Sequence, residues 1–558
     1  MNTHHRRLFY KILLMSFITG VFLMWNGTLQ AQLRVHHIFD NNMVLQRDQP
    51  VRVWGWANVG KEVTVEFAGQ KKNTVVQPDG QWEVILDPMA VSRIPGLFKV
   101  TSEGEAVIYQ NVLVGDVWIL GGQSNMEFDL KRIYHGDEEV ASAHFPEIRL
   151  MTIPAKASPV LLDDFPRLNE WDGWYGRYDL KGYWMVCSPE TVPTFSALGY
   201  IFGRRVYMAT QVPIGLIDAS WGGTTVEAWV SRDQLKTIDR NRGLLDLWDA
   251  RIRADTAKAS DRNNPGASYN GMLGIFGGLS VKGILFHQGF NNALGDARPK
   301  LYGQNLELMI RQWRATFNNA SLPFGIIELS AGGEPQTMDN FEMRMVDAGC
   351  YIREAQLKAY LDLPDVGFVS AYDQQVHWYH PFKKVELGER MARWALATQY
   401  GYDFGWKPAL PNRVTSKDHQ MIIGFDRKVV THDGRPVEGM AIAGADRHFY
   451  PAKAEYLVVG KDDRGRDQSD QSQLVVHCKQ VSKPVAVRYA WARNPLGNLV
   501  NGEHLEQVIP VPPFRTDQWD WPEAPFAENK DPVFQAHRQK IRDLKQQATQ
   551  WAKRRRKP

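Results

Sequence analysis

Five continuous apolar runs constrain this chain more than any other feature: Val117 to Leu120, Val212 to Ile217, Gly283 to Phe286, Phe324 to Leu329 and Val366 to Val369. Each has the length of a strand and no polar alternation, the pattern of a strand buried on both faces. Between them the periodicity becomes helical. The clearest case is Tyr302, Leu306, Met309, Ile310, Trp313 and Phe317, whose spacing of three and four puts one apolar face on a core. Further helices are expected over Phe195 to Met208, Met343 to Leu361 and Phe382 to Tyr400. Buried strands alternating with helices predict an α/β fold with a parallel sheet covered on both sides.

A different texture flanks this region. Val51-Arg52-Val53-Trp54, then Val63, Val65 and Phe67, then Trp82, Val84 and Leu86 alternate with period two, punctuated by Gly60, Gly69 and Pro78-Asp79-Gly80. This predicts an N-terminal antiparallel β domain over 32–110. The alternation returns beyond Gly401 (Met421 to Phe425, Tyr456 to Val458, Leu474 to Val476, Val485 to Trp491), predicting a C-terminal β domain over 401–521 around a central α/β domain at 111–400.

The ends are distinct. His4, His5, Arg6, Arg7 and Lys11 precede the apolar run Ile12 to Trp25, and Leu29-Gln30-Ala31 supplies a small residue for cleavage. Residues 1–31 therefore read as an export signal, leaving no stable membrane span and a secreted or periplasmic chain. Pro522, Pro525 and Pro532 mark a linker. Phe534, Ile541, Leu544, Ala548 and Trp551 then lie on one helical seam before Lys553-Arg554-Arg555-Arg556-Lys557, so 522–558 reads as a linker and a basic amphipathic helical tail.

Those ends carry the positive charge. The whole chain is +4, but residues 1–31 contribute +3 and 531–558 contribute +7, leaving 32–530 at 4 − 3 − 7 = −6. An acidic body is not a nucleic-acid-binding surface. Cys187, Cys350 and Cys478 form neither a disulfide framework nor a metal motif, and free thiols are expected. No dinucleotide or phosphate loop is present.

The chemistry concentrates where the first apolar run ends, at Gly121-Gly122-Gln123-Ser124-Asn125-Met126-Glu127. A serine just beyond a buried strand sits at the carboxyl edge of a parallel sheet, where ligands bind. Met126 takes the place of the last glycine of G-x-S-x-G, so the usual α/β-hydrolase elbow is not indicated. With Asn42 to Arg47, Val53 to Trp56, Phe195-Ser196-Ala197, Ser220-Trp221-Gly222-Gly223-Thr224, Glu227-Ala228-Trp229, Phe286-His287-Gln288-Gly289, His380-Pro381 and Ala486 to Trp491, this block resembles the carbohydrate O-acetylesterases of the sialate O-acetylesterase type, within the SGNH hydrolase superfamily. The resemblance spans about 33–520 and excludes the tail.

The resemblance implies a flavodoxin-like three-layer SGNH domain that hydrolyses acetyl esters on sugars, without a cofactor or metal. Ser124 is then the nucleophile and His380 its base, with the Ser124 and Gly223 N–H groups and the Gln288 or Asn292 amide as oxyanion donors. Trp221, Glu227 and Trp229 are candidates for the sugar pocket. The chain departs from the family at the group that orients the histidine. His377-Trp378-Tyr379-His380 lacks the usual acid, and Gly289-Phe290-Asn291 replaces Gly-Glu-Ser. A Ser-His dyad supported by a carbonyl stands first and Asp373 second, while lost catalysis would leave a non-catalytic carbohydrate-binding protein. The pair His377 and His380 has no accompanying third ligand and does not predict a metal. The expected partner is an acetylated glycan, either a sialic acid or a polymer such as xylan or xyloglucan. The oligomeric state is left open.

Overall fold

The computed structural model describes residues 32–167, 182–293, 299–345, 348–374 and 380–520. The expected export signal at 1–31 and the basic tail at 522–558 lie outside the described residues.

The N-terminal region is antiparallel. β1 (Val51–Trp56), β2 (Glu62–Phe67) and β3 (Gln81–Leu86) alternate as expected, with Val53 opposite Val84 and only every second residue of β3 buried. β4 (Ser92–Ser102) pairs with the first half of β5 (Glu105–Gly122), Val100 lying opposite Val107. β5 carries the chain inward: its early residues alternate in exposure, and from Val112 all are buried. The boundary expected near residue 110 therefore falls inside one continuous strand that serves both regions. The Gln46-Arg47 block explains how they are locked. Gln46 donates to Asp116 Oδ1 at 3.0 Å, and Arg47 binds both Asp116 oxygens at 3.1 Å, so the Asp116 carboxylate holds the strand in place.

The remaining central strands are β6 (Phe145–Thr152), β7 (Met185–Cys187), β8 (Ile214–Asp218), β9 (Gly283–His287), β10 (Phe324–Ile327) and β11 (Val366–Val369). Their order is β7-β6-β8-β5-β9-β10-β11, parallel throughout except for the antiparallel edge strand β7. The helices at the strand ends and on the sheet faces include α1 (Ser124–Glu127), α2 (Ala197–Thr210), α3 (Phe290–Ala293), α4 (Pro299–Thr316), α5 (Ala348–Asp362) and α6 (Val385–Gln399). Alternate strand residues divide between two cores. Ile119, Ile284, Phe286 and Ile326 pack with Trp313 of α4 and Ile352 of α5. Leu120, Leu216, Leu285 and Ile327 pack with Phe202 of α2 and Trp394 of α6. Trp313 meets Phe286 edge-on at 5.7 Å, and burial of one such side chain contributes about 1.5–3 kcal/mol.

Beyond α6 two four-stranded antiparallel sheets, joined by a two-stranded one, share a core of Ile423, Leu474, Val476, Ile442 and Val487. Arg353 of α5, buried, donates to the carbonyls of Ala492 at 2.6 Å and Arg493 at 2.7 Å and fastens this unit to the α/β region. Cys187, Cys350 and Cys478 are free thiols, and burial pushes Cys187 up to about 12. Among the described residues no helix is long and apolar enough to cross a membrane.

Candidate active site

Ser124 begins α1 directly beyond β5. The turn requires glycine at 122: its φ is +128°, and a Cβ there would stand 2.3 Å from the His287 carbonyl oxygen. That carbonyl accepts the Gln123 N–H at 3.1 Å, so the ends of β5 and β9 are stitched together beneath the serine. Ser196 explains the Phe195-Ser196-Ala197 block. It caps α2 by accepting the Gly199 N–H at 3.0 Å, and its hydroxyl donates to the Met126 carbonyl at 2.6 Å.

A second turn faces the serine, after β8. A Cβ on Gly222 would meet Glu127 Oε2 at 2.7 Å and Ser124 Cβ at 3.2 Å, and Gly223 has φ +81°. The turn is held from several directions. The Gly222 N–H donates to Glu127 Oε2 at 2.6 Å, Arg262 donates to the Gly222 carbonyl at 2.7 Å, and Asn263 and Asn291 both donate to the Gly223 carbonyl. The Ser124 and Gly223 N–H groups have no acceptor among the described residues.

The structure corrects the expected side-chain donors. Gln288 is 1% exposed, and its amide nitrogen donates to Asn292 Oδ1 at 2.7 Å, the Thr224 carbonyl at 3.1 Å and Gln123 Oε1 at 3.2 Å. The Asn292 amide nitrogen is committed to the Glu227 carboxylate at 3.0 Å. Both amides brace the turn rather than face the serine. Two sugar-pocket candidates are likewise internal. Trp229 is fully buried, its indole N–H donating to Thr224 Oγ1 at 2.9 Å, and Glu227 is buried among Asn292 and Asn305. Trp221 is half-buried and carries the Arg262 guanidinium 4.9 Å from its ring centre.

His380 does meet Ser124: Nε2 and Oγ are 2.8 Å apart although 256 positions separate the residues. The Phe128 ring lies along the imidazole at 5.7 Å. Burial first, then the positive charges of Lys384 and Arg132, lower His380 to about 3, so the ring is neutral at ordinary pH. His377, Trp378 and Tyr379 lie outside the described residues. Asp373 is placed elsewhere: both its oxygens receive Arg390, at 2.9 and 2.6 Å, which corrects the expectation that it turns toward the histidine.

Several residues went unrecognised in the sequence. Gln123 gathers the Gln288 amide and the Gly289 N–H (3.3 Å) on one oxygen. Glu127 holds Gly222. Lys384, buried, donates to Asn125 Oδ1 at 2.6 Å, and burial lowers it to about 7. The signal was available for Gln123, Asn125 and Glu127, which flank Ser124 in one motif. Lys384 carried no signal beyond its place four residues after His380. His287 is closed off: its ring nitrogens each stand 3.1 Å from a partner, the Ile327 carbonyl and the Ser330 hydroxyl, and burial lowers it to about 3. No group of three potential metal ligands occurs among the described residues.

Residues 189–397 match the family of carbohydrate esterases described as sialic acid-specific acetylesterases. The chain is similar to a solved carbohydrate acetylesterase from Xanthomonas citri, at 30% identity and a TM-score of 0.73, covering 87% of this chain and all of that one. It is also similar to the sialate O-acetylesterases of Mus musculus (26% identical, 85% of this chain and 92% of the mouse protein) and Homo sapiens (25%, 85% and 91%). The chain belongs to the carbohydrate acetylesterases of the sialate O-acetylesterase type.

Proposed function

We propose that this chain removes O-acetyl groups from sugars by a Ser-His mechanism with an acyl-enzyme, on a flavodoxin-like three-layer SGNH domain, after export directed by residues 1–31. The observation that carries this reading is the 2.8 Å approach of His380 Nε2 to Ser124 Oγ beside two backbone N–H groups without acceptors among the described residues. His380 takes the Ser124 proton as Oγ attacks the acetyl carbonyl. The Ser124 and Gly223 N–H groups receive the oxyanion that develops, and Glu127 fixes their spacing through Gly222. The sugar hydroxyl leaves with the proton from His380. Water, deprotonated by the same ring, then attacks the acetyl-serine and releases acetate.

Trp221 offers the apolar face of the sugar site. Arg262 at Trp221 and Arg132 at Phe128, the latter electrostatically felt by His380, put positive charge beside the reacting pair, which supports a sugar bearing a carboxylate such as a sialic acid. The test is acetate release from a chromogenic acetyl ester, acetylated sialic acids and acetylated xylan or xyloglucan, beside Ser124→Ala. Turnover that disappears with the serine supports the reading and lets the panel choose the sugar. Turnover that survives the substitution overturns Ser124 as the nucleophile, and no turnover on any member overturns the esterase reading in favour of a carbohydrate-binding protein.

A further inference from the structure

A cavity of about 1020 Å³ opens where α6 meets the C-terminal β unit. Its floor is the end of β11 and the segment Ser370 to Gln374, one wall is α6, and the other is formed by His432 to Glu438 and Leu496 to Val500. Ser124, His380, Gly223 and Trp221 do not line it. Ligand sites form preferentially at such junctions, and the volume is that of a site for several linked rings.

The lining limits what can bind. Six of its nine charged side chains are paired with one another, Arg390 with Asp373 at 2.9 and 2.6 Å, Arg205 with Glu389 at 2.5 and 3.1 Å, and Arg435 with Glu438 at 3.4 Å; Lys383, Glu386 and Arg393 are the others. Paired ions hold little attraction for a charged ligand, but their planar edges remain both donors and acceptors. Two enclosed polar atoms beneath the floor, Ser370 Oγ and Gln374 Oε1, have no hydrogen-bond partner among the described residues. A buried unsatisfied polar group is costly unless something satisfies it. Phe404, 36% exposed, and the half-buried Trp406 stand at the rim, and Arg393 lies 4.9 Å over the Phe404 ring. An uncharged ligand whose hydroxyls both donate and accept, and whose C–H faces lie on aromatic rings, fits all of these features.

We infer that this cavity is a second, non-hydrolytic binding site for a neutral oligosaccharide segment, held by Phe404 and Trp406 at its rim and by the ion-pair edges of its walls. The site is separate from the esterase reading and stands without it.

Calorimetric titration of the full chain with xyloglucan and xylan oligosaccharides, cellotetraose and chitotetraose, with oligogalacturonate as the acidic comparator, tests it. We expect a neutral sugar to bind, and its affinity to fall about tenfold in Phe404→Ala and in Trp406→Ala while persisting in Trp221→Ala. Phe404 is exposed enough for its truncation to leave the fold intact should Trp406→Ala fail to fold. Absence of neutral-sugar binding, binding indifferent to Phe404, binding abolished by Trp221→Ala, or preference for the acidic chain would overturn the proposal. Acetate release by the unmodified chain, measured in parallel, reports separately on the esterase reading.

Discussion

His287 and His380 occupy two ends of one sheet edge and are alike in every property except what their rings meet. Both are buried, and both are lowered to about 3, chiefly by burial. His287, ending β9, spends one nitrogen on the Ile327 carbonyl and the other on the Ser330 hydroxyl. His380, in the segment between β11 and α6, presents Nε2 to Ser124. A depressed pKa therefore does not distinguish a working histidine from a structural one. The partner of each nitrogen does, because proton transfer needs a ring nitrogen directed at the reacting hydroxyl.

The sharpest way to break the comparison is to remove each ring. Ser124→Ala and His380→Asn should each lower acetate release about 10⁴-fold or more, and the double variant should be no worse than either alone, because the two act as a unit. Steady-state kinetics at one substrate concentration checks this. His287→Asn should instead cost about 1–3 kcal/mol of stability through the polar groups it leaves unpaired, read by denaturant unfolding. Equal loss of turnover with retained stability in His287→Asn would erase the distinction.

Glu127→Gln comes next. The carboxylate accepts the Gly222 N–H at 2.6 Å, so its loss should loosen the turn that carries the Gly223 donor and lower kcat about 10²-fold with KM little changed. A rise in KM at constant kcat would mean that Glu127 serves ground-state binding instead.

Charge around the two rings gives a smaller effect with a defined sign. Each histidine is near 6.5 when unfolded and about 3 when folded, so the unfolded chain binds protons that the folded chain refuses. The stability they contribute is fully present above pH 6.5 and declines as pH falls toward 3. Melting temperature against pH should show this slope, shallower in His287→Asn. Lys384→Met removes a positive neighbour of His380, so the acid limb of kcat/KM should move to higher pH. A limb that stays in place would remove Lys384 from the electrostatics of the site.

Much of this arrangement was legible in advance, for physical reasons. A parallel sheet demands uninterrupted apolar strands, so its strands and covering helices stand out, and the glycines before Ser124 mark a turn that other residues cannot make. Hydrogen-bond commitment was not legible. Gln288 and Asn292 have the chemistry of oxyanion donors, and only the fold shows their amide hydrogens spent on Thr224 and Glu227. Trp229 looked like a sugar platform until Trp313 and Thr224 closed around it. The strand β5 hid its continuity because its pattern changes from alternating to fully buried at Val112, which resembles a domain boundary.

Asp373 marks the limit of arguing from order along the chain. Seven residues before His380, it is close enough in sequence to orient the ring, yet Arg390 holds both its oxygens. A carboxylate that oriented His380 would, as an amide, cost about 10⁴ in kcat. One that only neutralises Arg390 would leave turnover nearly intact and cost about 1–3 kcal/mol of stability, because the largely buried Arg390 loses its counter-charge. Asp373→Asn should follow the second course, with an unshifted pH profile. A collapse of kcat would place Asp373 behind His380, and the contrast between the two histidines would then rest on a carboxylate as well as on the nitrogen turned to Ser124.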